Sequence, residues 1–214
     1  MGFSTLIDIL GSTIVGGMLL MILFRINDAA VENTFTYGSD LLVQQNLVSA
    51  VELLEHDFRK IGYCKDWSKI PDPSKAIIEA DSTSIKFLTD VAVNVALQEG
   101  DGIVDTLSYY LGSASELTAT GNPRDKLLYR KVNSEAPLSA NLGITRFRLD
   151  YFNALGDTIK TFPVAVPGEI YTLKIDLVIE NTHPLISSTS PSDSIYTAAF
   201  WRQIRLAARN IRNR

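Results

Sequence analysis

From Phe3 to Phe24 the chain reads FSTLIDILGSTIVGGMLLMILF, apolar or small throughout except for one charge, Asp8. No Lys or Arg precedes this stretch, and Arg25 closes it. As a helix rising about 1.5 Å per residue it would be roughly 33 Å long, close to the hydrocarbon thickness of a bilayer. A second pattern follows from about Asp40 to Ile61. Leu47, Val51, Leu54, Phe58 and Ile61 recur at three- and four-residue spacing and form one apolar stripe, with Gln45, Glu52, Glu55, His56 and Arg59 mainly off it. The two segments are expected to join as one long helix. Residues 27–40, NDAAVENTFTYGSD, are polar and β-branched and include Gly38, so a weakened or locally unwound section is expected there. Gly62 is the expected helix stop.

After Tyr63 the period changes from helical to alternating. Pro71 and Pro73 mark a loop. Ile85 and Phe87 then alternate with Ser84 and Lys86, and short runs follow at Leu107–Leu111 and Leu127–Val132. In Arg146–Phe152, Phe147, Leu149 and Tyr151 share one face and Arg146, Arg148 and Asp150 the other. In Tyr171–Glu180, Tyr171, Leu173, Ile175, Leu177 and Ile179 oppose Thr172, Lys174, Asp176 and Glu180. A last strand places Phe200, Arg202, Ile204 and Leu206 on one face, so that an arginine intrudes on the apolar side. Turn signals separate the runs at Gly100–Gly102, Gly121–Pro123, Gly156–Asp157, Pro167–Gly168 and Ser187–Ser194. Such alternation predicts a mainly antiparallel sheet with one covered face, and the helical stripe is the obvious cover. The expected fold is α+β, with residues 1–25 as a membrane helix segment. Residues 26–62 are the linker and amphipathic half of that helix, and 63–214 the β-rich head.

Charge adds one asymmetry. Five arginines (Arg202, Arg205, Arg209, Arg212, Arg214) and no acids fall in the last 13 of 214 residues, leaving −9 on the rest against −4 overall. The acidic body argues against general nucleic-acid binding, and the basic tail is expected to be a solvated strand edge and a frayed end. Cys64 is the only cysteine, so no intramolecular disulfide can form and a structural thiol is expected. The N-terminal stretch lacks a basic n-region and an A-x-A cleavage site, and is long enough to span, so it is expected to be retained.

Candidate chemistry is sparse. His56 and His183 are isolated, no Cys/His cluster has zinc spacing, and no G-x-S-x-G, P-loop or dinucleotide fingerprint is present. No enzymatic activity, cofactor or small-molecule substrate is expected. Glu99-Gly-Asp101-Gly-Ile-Val-Asp105 makes Asp101 and Asp105 weak candidates for calcium, but the run lacks the full D-x-D-x-D-G…E pattern, and an exposed turn is the preferred reading. Asp8 is the sharper case. An ionisable group within a span is costly unless paired, which marks it as a carboxylate awaiting a positive partner and a candidate register device.

These features together resemble the type IV pilin superfamily. Gly2-Phe3-Ser4-Thr5-Leu6-Ile7-Asp8 looks like that family's G-F-T-L-I-E processing site, followed by the expected apolar helix. Leu53-Leu54-Glu55-His56-Asp57-Phe58-Arg59-Lys60-Ile61-Gly62-Tyr63 is similar to the D-h-R-x-A-G-Y region of minor pilin W and pseudopilin J. Asp101–Leu111 looks like their strand motif, and Leu127–Lys131, the Gly143–Gly156 strand and Arg209-Asn210 also fit. The resemblance implies cleavage after Gly2 by a prepilin peptidase, methylation of Phe3 as the mature terminus, and pairing of Asp8 with a neighbouring subunit's terminal amine. Asp stands where the family has Glu, and sixth rather than fifth counted from Phe3; the leader would be Met1-Gly2. It further implies a single-pass inner-membrane protein with its head in the periplasm. Its partners would be other pilin or pseudopilin subunits, the peptidase and inner-membrane lipid, and its role that of a minor subunit priming or capping a filament. The rival expectation is an anchored periplasmic binding or scaffold protein that never polymerises.

Overall fold

The computed structural model describes residues 2–94, 99–118, 120–185 and 194–206, excluding the side chains of residues 4, 92–94, 99, 200 and 202–206. The basic tail from residue 207 on, the predicted turn at 187–193 and the face carrying Arg202 therefore lie outside the described residues. The chain forms two units, Met1–Leu41 and Leu42–Arg214. Helix α1 runs from Gly2 to Arg59.

Residues 27–40, expected to be weakened or locally unwound, are helical throughout, so no unwound section forms there. The Thr34 hydroxyl donates to Ala30 O at 2.8 Å and Thr36 to Glu32 O at 2.9 Å, so these β-branched residues turn their polar atoms onto the helix itself. Poor propensity sums here to only a few kcal/mol at most, roughly 1 kcal/mol of it from Gly38, and does not interrupt the hydrogen-bond ladder.

The helix stop falls where expected. Lys60 N–H reaches Asp57 O at 3.1 Å and Ile61 N–H reaches Phe58 O at 3.3 Å, a tightened last turn. Gly62 then adopts φ +73°, a left-handed backbone that side-chain-bearing residues resist, and its N–H donates to Leu88 O at 2.8 Å. The helix end is thereby hydrogen-bonded directly to a strand of the head.

The strands of the head are β1 (Ile77–Ala80), β2 (Ser84–Thr89), β3 (Ala92–Asn94), β4 (Glu99–Gly100), β5 (Asp105–Leu111), β6 (Lys126–Val132), β7 (Leu138–Phe152), β8 (Thr158–Ile159), β9 (Thr172–Glu180) and β10 (Ala198–Leu206). Eight of them form one antiparallel sheet in the order β1-β2-β5-β6-β7-β9-β10, with β8 beside β7, and β3 and β4 form a separate pair. The alternation seen in the sequence sets the faces: Ile85 and Phe87, Leu107 and Tyr109, Phe147, Leu149 and Tyr151, and Leu173, Ile175, Leu177 and Ile179 are all buried. Strand β7 begins well before the predicted Arg146, at Leu138. It pairs with β6 through its first half and β9 through its second. Gly143 marks the change: its φ is +73°, and a Cβ there would lie 2.2 Å from Glu180 O.

The predicted stripe is the cover. Leu47, Leu54, Phe58 and Ile61 are buried, Val51 is half-buried, and Val43 and Ala50 extend the contact. The Phe58 ring meets Phe87 edge-on at 5.6 Å and Tyr109 at 5.5 Å. Burying such a ring contributes on the order of 1.5–3 kcal/mol from area alone.

Candidate functional site

Within the N-terminal unit, residues 3–24 form an uncovered apolar stretch of helix. Phe3, Leu6, Ile7, Ile9, Leu10, Ile14, Val15 and every large apolar residue from Met18 to Phe24 are exposed. The helix is long and apolar enough to cross a membrane, and none of its apolar window is buried within the chain. Three hydroxyls of this stretch are satisfied by the helix itself: Thr5 donates to Gly2 O, Ser12 to Ile9 O, and Thr13 to Ile9 O and Leu10 O. That back-bonding removes most of the cost of carrying them into hydrocarbon.

Asp8 differs in kind. It is exposed, and it makes no hydrogen bond or ion pair with another described side chain. Gly2 and Phe3 occupy the first turn of α1. Asp8 is five positions beyond Phe3, so the two lie about 7.5 Å apart along the axis and about 140° apart around it. Within one copy Asp8 and Phe3 therefore lie on different sides of the helix. A Cβ at Gly11, Gly16 or Gly17 would meet nothing within 4 Å. By the 100° step Gly11 lies near the Asp8 side and Gly17 opposite it, so close approach is open on more than one side of the helix.

The weak calcium candidates are in the head and are engaged locally. Asp101 Oδ1 accepts from Ile103 N–H at 2.9 Å, closing its own turn. Asp105 accepts from Val91 N–H at 3.0 Å and from Asn133 Nδ2 at 2.6 Å. Among the described residues no three His, Cys, Asp or Glu side chains cluster as metal ligands would. Cys64 is buried, its sulfur 3.7 Å from Asp90 Oδ2, and burial pushes its thiol pKa up. It is not poised as a nucleophile. Asp90 is fully buried and accepts from Lys65 N–H and Gly102 N–H, both at 3.0 Å, tying two loops together.

Sequence reasoning missed one polar centre. Asp57 is buried on the inner face of α1. Its carboxylate accepts from Tyr109 OH at 2.5 Å and Arg130 Nε at 2.7 Å, and pairs with His56 Nδ1 at 3.1 Å. Burial, and then the negative charge of Asp57, push the Tyr109 hydroxyl pKa well above its usual value, so it stays a donor. A signal was present: Asp57 sits between Leu54 and Ile61 at helical spacing, on the apolar stripe itself. Tyr109 and Arg130 were not readable as its partners, because they lie 52 and 73 residues away. Beside this centre, Ala50, Leu53, Leu128, Leu138, Ala140 and Leu142 line an open apolar groove of about 320 Å³.

No family model matches the chain, and no curated protein matches it. Among solved structures it is similar to a type IV-like pilin from Thermus thermophilus at 12% identity and a TM-score of 0.46. The similarity covers 78% of this chain and 96% of the other.

Proposed function

We propose that the protein is a membrane-anchored, pilin-like structural subunit without enzymatic activity, a minor pilin or pseudopilin that primes or caps a filament. The carrying observation is the pairing of an uncovered apolar helix with one unpartnered carboxylate, Asp8. A helix that only anchored would have no use for a charge that costs on the order of 2.5–3.5 kcal/mol in the span. A helix that must find register against its neighbours would.

In this reading the subunit waits in the inner membrane with its head in the periplasm. A prepilin peptidase cuts after Gly2, and Phe3 becomes the methylated terminus. During polymerisation neighbouring helices replace lipid around Phe3–Phe24, approaching closely at Gly11, Gly16 and Gly17. Asp8 gains the terminal amine of an adjacent subunit, and the head selects neighbours.

Intact mass and terminal sequencing of membrane-extracted protein tests this. A chain beginning at methylated Phe3 is expected. A chain that keeps Met1 and Gly2 offers no free amine at the level of Asp8 and turns the reading to a non-polymerising periplasmic scaffold.

A further inference from the structure

At the entry to β6 the head holds an acid whose carboxylate oxygens have no hydrogen-bond partner among the described residues. Asp125 is fully buried, and neither of its carboxylate oxygens accepts a hydrogen bond from a described residue. Everything around it is matched. Asn122, 1% exposed, donates from Nδ2 to Glu180 Oε2 at 2.9 Å and Asn181 O at 3.2 Å, and its Oδ1 accepts from Arg124 N–H. Arg124 donates to Glu180 Oε2 from Nε at 3.1 Å and Nη2 at 2.9 Å, and its guanidinium lies 5.0 Å above the Tyr196 ring. Tyr196 OH donates to Gly121 O at 2.8 Å. These contacts clasp the 120–125 turn to the end of β9 and to the segment before β10.

The charged groups acting on Asp125 are Glu180 from β9, of the same sign, and Arg124 from its own turn, already bound to Glu180. The Thr120 hydroxyl favours the ionised form, but it is directed at Leu117 O and Asn122 O. An ionised carboxylate here would be desolvated without compensation. We propose that Asp125 is a proton-operated latch: as the neutral acid it keeps the 120–125 turn seated on β9 and Tyr196, and its ionisation loosens that clasp.

Burial, supplemented by Glu180, pushes the Asp125 carboxyl up to about 6 from an ordinary 3.8. That is roughly a hundredfold gain in proton affinity on folding. Because the folded value is the higher one, the folded head holds a proton between these values that the unfolded chain has lost. The destabilisation is complete above about pH 6, fades as pH falls through that value, and is gone below about pH 4.

The test is hydrogen exchange and thermal melting of the full chain in detergent micelles at about pH 4.5 and pH 7.5, with Asp125→Asn beside the wild type. Exchange is corrected for its intrinsic pH dependence. Protection of residues 120–125 in the wild type is expected to fall by about tenfold or more at the higher pH, with β7 and β9 unchanged. The melting temperatures of the two proteins are then compared at each pH: D125N should melt higher at pH 7.5, match the wild type at pH 4.5, and show no fall in protection. Equal wild-type protection at both pH values overturns the latch, whether or not D125N folds. So does recovery of protection at pH 7.5 on adding calcium to the wild type, which would make a cation rather than a proton the missing partner.

Discussion

Leu19 and Leu54 belong to the same helix, yet Leu19 is 57% exposed and Leu54 is wholly buried. The same contrast holds for charge and for space. Asp57 in the head has three polar partners, whereas Asp8 in the N-terminal unit has none among the described residues. A Cβ on Gly143 would collide with Glu180 O, whereas one on Gly16 would meet nothing. Secondary structure alone therefore says little about what a helix does. Residues 42–59 have spent their apolar face on a sheet within the chain. Residues 3–24 keep theirs uncovered by the described residues, open in the proposed reading to lipid and then to other helices.

The contrast can be broken most sharply at the apolar positions. Phe58→Asp puts a charge beside Phe87 and Tyr109 and is expected to cost the head at least about 4 kcal/mol, enough to abolish a cooperative melt. Leu19→Asp should leave head melting unchanged and instead reduce membrane retention. Circular dichroism melts with membrane fractionation check both, and equal head destabilisation by the two variants would erase the distinction.

The carboxylates give the next largest effect. Asp57→Ala leaves the Arg130 guanidinium without its buried partner and is expected to cost roughly 3–5 kcal/mol. Adding Arg130→Met should restore part of it. Asp8→Ala should leave the melt alone while lowering incorporation into filaments, read by shearing and immunoblot. Normal incorporation of that variant would remove the pairing role.

Glycine gives the smallest effect. Gly143→Ala combines a left-handed backbone with a collision against a carbonyl and should cost about 1–3 kcal/mol. Gly16→Ala should leave the isolated chain within about 0.5 kcal/mol of the original, or stabilise it slightly. If Gly16→Ala matched Gly143→Ala in a melt of the unassembled protein, the N-terminal helix would already have a partner in the chain.

Much of the head was legible because its signals are local. Phe147, Leu149 and Tyr151, or Leu173, Ile175, Leu177 and Ile179, declare a covered face by alternation alone. Strand β1 escaped notice because Ile77 and Ile78 are adjacent and follow Ala76, which blurs the period. The start of β7 at Leu138 escaped because its first four residues are exposed, so the short alternation of Leu138, Ala140 and Leu142 with Ser139 and Asn141 marks no buried face. Of the weakened or locally unwound section expected at 27–40, the unwinding is absent for a different reason. Propensity is a weak bias, and a helix already nucleated on one side continues through poor residues when their hydroxyls can bond backward, as Thr34 and Thr36 do.

The amino-acid pattern by itself determined the apolar helix, its single carboxylate, the stripe from Leu47 to Ile61, the stop at Gly62 and the inward face of the main strands. All of these depend on neighbours a few residues apart, where spacing and backbone sterics suffice. Only the tertiary structure decided the strand order β1-β2-β5-β6-β7-β9-β10, the meeting of Asp57 with Tyr109 and Arg130, and the stranding of Asp125 beside Glu180. Those depend on which faces pack together across long stretches of chain. A carboxylate reads the same in sequence whether packing gives it a guanidinium of its own, as at Asp57, or sets it beside an acid that already holds the nearby arginine, as at Asp125.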